Sequence, residues 1–333
     1  MRRRFAMKTA ILALLLLAAR PALAQQAELR IVRPVDVLAL PLVVMQHEHL
    51  IERTAESMGL GAVHVTWSTP GEAGPLKALE SGSADLAMVD LVPLLVAEDN
   101  GGGKPAVAGL AAVAARPYVL VTRNPAIRTI LDFTAKDRIG VPAVPLSQPA
   151  LMLEMAASQE WGPEHWNRLD PLMVARPDQA ADEALLSGKG DIDAHFAPMP
   201  FADDELADGK IHRVMDSFDI AGPHTVAVLA AANRSPAASP ELSKAVLAAV
   251  QAADDFIHKN RGEAAEYLAG LSGGAMPVED LTDMIGGPDL SYDAAPRGVM
   301  RLADLMHRTG RLKRQPHSWR DFFLPASRDL KGS

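Results

Sequence analysis

The stretch Ala78-Leu-Glu-Ser-Gly-Ser-Ala-Asp-Leu-Ala-Met-Val-Asp90 decides the fold, because the chain repeats it as Ala184-Leu-Leu-Ser-Gly-Lys-Gly-Asp-Ile-Asp-Ala-His-Phe196. Aligned without a gap, the two copies share five residues, which match Ala78, Leu79, Ser81, Gly82 and Asp85 to Ala184, Leu185, Ser187, Gly188 and Asp191. Each copy predicts a helix end, a Gly that stops the helix at positive φ, and a short buried strand. Two such units predict two lobes of similar build; chance recurrence of a helix-to-strand turn is the alternative.

The N-terminus is typical of a secretory signal peptide. It has a basic Met1-Arg-Arg-Arg4 start, an apolar run over 10–19 and an Ala22-Leu-Ala24 cleavage site,. The apolar run is about half of the roughly 20 residues that a spanning helix needs. Gln25 stands where a lipid-anchored protein would carry a Cys. We therefore predict that residues 1–24 are removed and that the mature chain is exported without a membrane anchor.

Charge and composition limit the partners of the mature chain. The leader holds five of the 33 basic residues and no acidic one, which leaves 28 Lys and Arg against 41 Asp and Glu. Nucleic acids and anionic membranes repel such a protein, so we exclude both as partners. The chain has no Cys, so packing alone must hold it together,. Its length fits two compact lobes, and we expect a monomer.

Strands and helices alternate along most of the chain, which predicts sheets covered by helices on both faces. Helices are predicted over 41–58 and 128–135, and the chain is mostly helical from 239 onward. We expect residues 25–116 plus 223–333 to form the first lobe and 117–222 the second. The predicted strands are 29–33, 63–67, 86–89, 118–122, 138–141, 172–174, 192–196, 211–215 and 224–229.

A third motif lies near the C-terminus. It reads Arg297-Gly-Val-Met-x-Leu-Ala-Asp-x-Met306 and is followed by Thr309-Gly-x-Leu-Lys313. With these motifs, residues 28–325 resemble periplasmic substrate-binding proteins of ABC importers. The chain looks most similar to the nitrate/sulfonate/taurine (NitT/TauT) group and to thiamine-pyrimidine-precursor binders. The resemblance implies a type II periplasmic-binding-protein clamshell: α/β, with mixed, mostly parallel sheets, flanking helices and a helical C-terminal segment. It also implies a periplasmic protein that needs no cofactor and has permease subunits as partners.

Ligands of open α/β sheets bind beyond the carboxyl ends of the strands, and two facing lobes turn these ends into one cleft. Loops after strands therefore supply candidate ligand contacts, and the segments that cross between the lobes add two more. The candidates after strands are Asp36, Ser68, Thr69, Asp90, Ser147, Gln148 and His195. The candidates at the crossings are Arg116 and His224.

The charge of the ligand stays open at this point. Hydroxyls at helix starts and Arg116 suit an anion, whereas Asp36 and Asp90 favour an amine or a metal ion. Helix capping explains the hydroxyls and both carboxylates equally well. Arg116 could be a surface charge at a turn, and His195 could be buried and bonded to the backbone. We predict no metal site, since His47 and His49 are two apart and face different sides of a helix.

The sequence thus favours a binding protein, not an enzyme. We expect it to capture a small polar or anionic organic solute, of the sulfonate, taurine or nitrate kind, and to deliver it to an ABC importer. The alternatives are a pyrimidine-precursor binder, a synthase-like enzyme of the same fold, or a ligand-presenting partner of a membrane sensor. A synthase-like enzyme would use a His and a cofactor-bound Lys, but no Lys lies at the predicted strand ends.

Overall fold

The computed structural model describes residues 27–102 and 105–333, so the predicted signal peptide lies outside the described residues. The described strands are β1 (Ala27–Val32), β2 (Val63–Ser68), β3 (Leu86–Asp90), β4 (Val107–Ala115), β5 (Tyr118–Thr122), β6 (Ile139–Val141), β7 (Met173–Ala175), β8 (Ala194–Pro198), β9 (His212–Asp216) and β10 (Thr225–Ala232). The described helices are α1 (Leu40–His47), α2 (Leu50–Ser57), α3 (Pro75–Ser81), α4 (Leu91–Asn100), α5 (Gln148–Trp161), α6 (Asp178–Ser187), α7 (Phe201–Ala207), α8 (Ser217–Ala221), α9 (Pro240–Lys259), α10 (Arg261–Leu271), α11 (Val278–Gly286) and α12 (Val299–Arg308).

These strands form two five-stranded sheets. The first sheet has the order β2-β1-β3-β10-β4 and the second has the order β7-β6-β8-β5-β9. In the first sheet β1 runs parallel to β2 and β3, and β10 runs antiparallel to β3 and β4. In the second, β6 runs parallel to β7 and β8, and β5 runs antiparallel to β8 and β9. The prediction of a two-lobed α/β fold with mixed sheets is confirmed, but the sheets are not mostly parallel as expected. Parallel and antiparallel strand pairs are equal in number, because β10 and β5 each run antiparallel to both of their neighbours.

The chain crosses between the sheets twice, between Ala115 and Tyr118 and between Asp216 and Thr225. Every residue of β4 and β10, the long strands next to these crossings, is buried. Both strands consist almost entirely of small or branched apolar residues, which is typical of strands covered on both faces. We propose the lobe division 25–116 plus 223–333 and 117–222 on this basis.

Both copies of the repeat end a helix at a Gly. α3 stops at Gly82 with φ 78°, and α6 stops at Gly188 with φ 62°. A residue without Cβ adopts this left-handed conformation without steric cost. The strands that follow, β3 and β8, pair in parallel with β1 and β6 respectively. The repeat therefore builds the same helix–Gly–strand unit in each sheet.

The aspartates of the two copies are offset by two residues. The Asp85 carboxylate accepts a hydrogen bond from the backbone N–H of Arg30 at 3.0 Å, directly before β3. In the second copy Asp193 does the same for Arg138, at 2.9 Å, directly before β8. The side chain of Asp191 is instead 64% exposed. The predicted match of Asp85 with Asp191 is therefore wrong, because the second copy has two more residues between its Gly and its framework Asp.

Two predicted helices differ in the structure. The helix expected over 41–58 breaks where His49 takes the left-handed conformation, with φ 50°, so α1 and α2 replace it. The helix expected over 128–135 shrinks to one 3-10 turn. There Thr129 and Asp132 form a capping box, and their side chains bond to nearby N–H groups. Such local bonds compete with helix propagation.

The C-terminal third is mostly helical, as predicted, and it returns to the first sheet. α9 packs against α1 and α2. After α11, the backbone carbonyls of Ser291 and Ala294 accept hydrogen bonds from Ala115 and Ala112 of β4 at 2.9 and 3.0 Å. This segment thereby places α11 beside the crossing between the sheets. In the described ranges, no helix has the length and apolar character that crossing a membrane requires.

Candidate functional site

A cavity of about 240 Å³ lies where loops of the two sheets face each other, and we call it the cleft cavity. The first-sheet part of the chain lines it with Val35, Asp36, Val37, Leu38, Met276 and Met284; the second-sheet part adds Asp178, Pro198, Met199, Pro200 and Phe201; Arg116 stands at the crossing. An outer cavity of about 260 Å³ shares Val37, Arg116, Met199 and Met284 with it. The two cavities thus form one continuous site between the sheets.

Two carboxylates line this site at the starts of helices, and a third, that of Asp90, lies near them without lining either cavity. Asp36 follows β1 and caps a 3-10 turn, where its Oδ1 accepts a hydrogen bond from Ala39 N–H at 2.9 Å. Asp178 is the first residue of α6 and comes shortly after β7. Asp90 ends β3 and precedes α4, but its side chain makes no capping bond. This is the placement expected of binding groups in an open α/β sheet.

The electrostatics tie these carboxylates to Arg116. Burial raises the pKa of Asp36 and of Asp90, and the Arg116 charge opposes both rises. The charges of Asp36 and Asp178 raise the pKa of Asp90 further. Asp90 nevertheless stays accessible to solvent.

Arg116 spans the crossing. Its Nη1 donates to the carbonyl oxygen of Met199 at 2.6 Å, from the end of β4 to the loop after β8. Its guanidinium carbon lies 5.8 Å from the centre of the Tyr118 ring. Its Nε is buried and has no partner among the described residues. Arg116 therefore lines the cleft cavity and is not the solvated surface charge that the sequence left as an alternative.

His195 lies behind the wall of the cleft cavity. It is 0% exposed, and its Nδ1 lies 2.6 Å from Oε1 of Glu205, which is also 0% exposed. Its Nε2 lies 3.4 Å from Oδ1 of Asp178. Burial alone would lower the pKa of His195, but hydrogen bonds and charges from Asp178 and Glu205 raise it to about 9. At neutral pH an imidazolium therefore orients Asp178 from behind.

The prediction that His195 contacts the ligand directly is therefore corrected. It rested on a gap-free repeat, which put His195 near the end of its strand. The structure makes it the second residue of β8, with Pro198 at the strand end. The side chain points into the core instead, bonded to carboxylates and not to the backbone as the alternative had it.

His224 is also buried, and it packs at the second crossing. Its Nδ1 donates to the Gly222 carbonyl at 2.9 Å, and its ring lies edge-on to Phe218 and parallel to Tyr118. Burial lowers the pKa of His224 to about 4, so the ring is neutral at physiological pH. With 0% exposure it lines neither cavity. His224 is a packing residue of the crossing, and the expected ligand contact is corrected.

The polar candidates after β2 and before α5 stay outside both cavities. The Ser147 hydroxyl caps α5 by accepting a hydrogen bond from Ala150 N–H at 3.4 Å. Helix capping was the alternative to ligand binding at this residue. Gln148 is buried and donates to the Thr225 carbonyl at 3.0 Å, which links α5 to β10. Ser68 and Thr69 are exposed at the end of the edge strand β2. Of the nine candidates, Asp36 and Arg116 line the cleft cavity, and Asp90 lies outside its lining but within reach of their charges.

Sequence reasoning missed Asp178, Met199 and Met284. Asp178 carried a usable signal, because it starts a predicted helix directly after a predicted strand, as the chosen candidates do. The two methionines carried no signal in the sequence, because only the folded chain shows that these apolar residues of loops and helix ends line the cleft cavity. Within residues 27–102 and 105–333, no group of three or more His, Asp and Glu side chains is arranged to hold a metal ion.

Comparison with known proteins gives structural relatives only. No family model and no curated protein matches the sequence. The alkanesulfonate-binding protein SsuA from Xanthomonas axonopodis pv. citri, solved with MOPS, is 19% identical with a TM-score of 0.62, covering 90% of this chain and 97% of that one. The aliphatic sulphonate-binding protein SsuA from Escherichia coli is 19% identical with a TM-score of 0.67, covering 90% and 92%.

The periplasmic nitrate-binding protein NrtA from Synechocystis PCC 6803 is 14% identical with a TM-score of 0.63, covering 89% of this chain and 84% of that one. At such identities the likeness extends to the fold. Its high coverage in all three cases means that both sheets and the helical C-terminal part are shared. The chain therefore has the two-lobed fold of periplasmic binding proteins, with its charged cavity between the lobes.

Proposed function

We propose that this protein is an exported solute-binding protein that carries a small polar organic solute to the permease subunits of an ABC importer. The observation that carries the proposal is the cleft cavity, which residues from both sheets line and in which Arg116, Asp36 and Asp178 converge. In a fold shared with sulfonate and nitrate binders, this is the expected place of a ligand. The two crossings would act as the hinge when the lobes close on it.

The location follows from the leader. A signal peptide over residues 1–24 would send the mature chain to the periplasm, where a monomer can diffuse between solute and importer,. The proposal includes this location and this oligomeric state.

The enzymatic alternative has less support. Among the described residues, neither the cleft cavity nor the outer cavity is lined by a Lys or a His. A synthase-like enzyme of this fold would need both beside its substrate. The three structural relatives named above are binding proteins.

The ligand that the sequence predicted was a small polar or anionic organic solute, of the sulfonate, taurine or nitrate kind. Arg116 supports it, since a guanidinium pairs well with such groups. It is also the single basic residue that lines either cavity among those described. A sulfonate would have to reach it past the surrounding carboxylates.

The test uses the mature chain, residues 25–333, with a panel of sulfonates, nitrate, carboxylates, amines and pyrimidines. A true ligand should raise the free energy of unfolding by about 2.7 kcal/mol at 100 times its Kd. It should also reduce the radius of gyration in small-angle scattering. Arg116→Gln should weaken both responses, and Arg301→Gln, which changes an exposed Arg of α12, should leave them intact. Failure of every compound to change stability or shape would contradict the proposal.

A further inference from the structure

We infer that residues 311–314, which we call the strap, tie the second lobe to the first and restrict the motion of one lobe against the other. The inference uses the lobe division proposed above. It goes beyond the proposed function, because it concerns how the lobes move and not what they bind. It follows from two anchors at the ends of the strap, from the short chain between them and from the position of α12 between the lobes.

The first anchor fixes the strap to α4 of the first lobe. The backbone N–H groups of Lys313 and Arg314 donate to the two carboxylate oxygens of Asp99, at 2.8 and 3.0 Å. Nη2 of Arg314 also donates to Oε2 of Glu98 at 2.5 Å. Burial alone would raise the pKa of Asp99, but the hydrogen bonds from Lys313 and Arg314 hold it below its ordinary value. The buried carboxylate of this anchor is therefore well bonded.

The second anchor fixes the strap to α5 of the second lobe. Nη2 of Arg311 donates to Oε1 of Glu154 at 2.5 Å, and the Arg311 guanidinium carbon lies 5.0 Å from the centre of the Trp166 ring. Glu154 is 0% exposed, and its Oε2 is buried without a partner among the described residues. Burial raises the pKa of Glu154 to about 8, although the charge of Arg311 opposes the rise, and the charge of Asp170 adds to it. Keeping this carboxyl out of water therefore costs free energy, which its release into solvent would recover.

The chain between the two anchors is short and held in place. Lys313 follows Arg311 by two residues, which span at most about 7 Å. Where α12 ends, the N–H groups of Arg311 and Leu312 both donate to the Met306 carbonyl, at 2.7 and 3.1 Å. α12 itself packs against α4 and against α5, so its end lies between the two lobes. The strap cannot stretch, and a motion that moves α5 away from α4 must therefore break one anchor.

The second anchor should break first. The first anchor has several hydrogen bonds to a well-bonded carboxylate, whereas the second joins Arg311 to a carboxyl whose burial is costly. Among the described residues, neither Arg311 nor Glu154 lines the cleft cavity or the outer cavity. The strap therefore limits lobe motion at a distance from the ligand.

The test measures the distance between the lobes of the mature chain, without added ligand, by double electron–electron resonance. The chain has no Cys, so Ser57→Cys in α2 and Ser187→Cys in α6, both at exposed positions, carry the two spin labels. Arg311→Met keeps most of the side-chain length and removes the donor. We expect a broader distance distribution in this variant, with the population outside the wild-type range raised about tenfold, the factor that loss of one hydrogen bond to a charged group allows. Arg308→Met, at an exposed position of α12, is the control and should keep the wild-type distribution.

Circular dichroism shows whether each variant folds. If Arg311→Met does not, the double variant Glu154→Leu with Arg311→Met fills the same space with apolar side chains and takes its place. A wild-type distribution in the folded variant would overturn the strap, even if the variant is less stable, because a role in packing alone does not change the distance between the lobes. The proposed function would then still stand, since closure on a ligand is measured separately by scattering. A broadened distribution in the variant, with no ligand that closes the wild type, would support the strap and contradict the proposed function.

Discussion

Replacing His195 and Glu205 together by Gln should remove a pH-dependent part of the stability of the second lobe. Both side chains are 0% exposed, and their Nδ1 and Oε1 atoms lie 2.6 Å apart. Two amides can keep a hydrogen bond in this space but cannot titrate. The single change His195→Gln is less informative, because it would leave Glu205 buried without its partner at a cost of about 3–5 kcal/mol.

The magnitude follows from the raised pKa of His195. A base whose pKa rises on folding stabilises the protein fully below its unfolded pKa, and this contribution is lost as the pH rises through the folded pKa. Here the window extends from 6.5 to about 9. At 1.36 kcal/mol per pKa unit, the wild type should lose at most about 3 kcal/mol more than the double variant across this window.

Urea unfolding at about pH 6 and about pH 9.5 measures the difference in free energy of unfolding between wild type and double variant. Using the difference removes other groups that titrate in both proteins. His64→Gln, at an exposed position of β2, is the control and should show no pH-dependent difference from wild type. A difference between wild type and double variant that is the same at both pH values would refute a protonated His195 held by carboxylates.

Two further changes test the packing of the first lobe. Burial and the nearby charge of Asp293 raise the pKa of Asp254, a 7% exposed carboxyl, from 3.8 to about 8. Stability is therefore lost as the pH rises from 3.8, and the loss is complete above about 8,. Asp254→Asn should raise the melting temperature at about pH 9, and an unchanged or lower value would contradict this. In Gly109→Ala the new Cβ would lie 2.7 Å from ring atoms of Phe323, which should lower the free energy of unfolding in denaturant by about 1–3 kcal/mol,. Gly209→Ala is the control. Its new Cβ has no atom within 4 Å, so the free energy of unfolding should change by less than about 0.5 kcal/mol,. Equal stability of the two Ala variants would show that the ring moves aside freely.

Local sequence pattern was enough to predict most strands. The strand expected over 118–122 matches β5 at both ends, and the one over 224–229 falls within one residue of the start of β10. These segments are apolar on both faces and flanked by turn residues, so no competing structure fits them. The helix break at His49 could not be read in this way, because a non-Gly residue at positive φ leaves no pattern in the surrounding sequence,.

The site was harder to predict, because burial and pairing are properties of the folded chain. The partners of His195 come from two different helices, α6 and α7, so its position in the sequence does not show whether it faces solvent or core. Arg116 was found at a predicted crossing between the lobes, and Asp36 was found by the strand-end rule, which depends on topology alone. The same rule also selected Ser68, which lies at the edge of the sheet and away from the cleft cavity.

The corrected repeat register explains why the two lobes share a framework but not a binding chemistry. The frame needs a Gly after the helix and an Asp before the strand, and both copies keep these. The strand ends are not part of the frame: with the register set by Asp85 and Asp193, Asp90 corresponds to Pro198. Only the first lobe therefore has a carboxylate at the end of its repeat strand, that of Asp90. The second lobe contributes its carboxylate, that of Asp178, from the start of a helix.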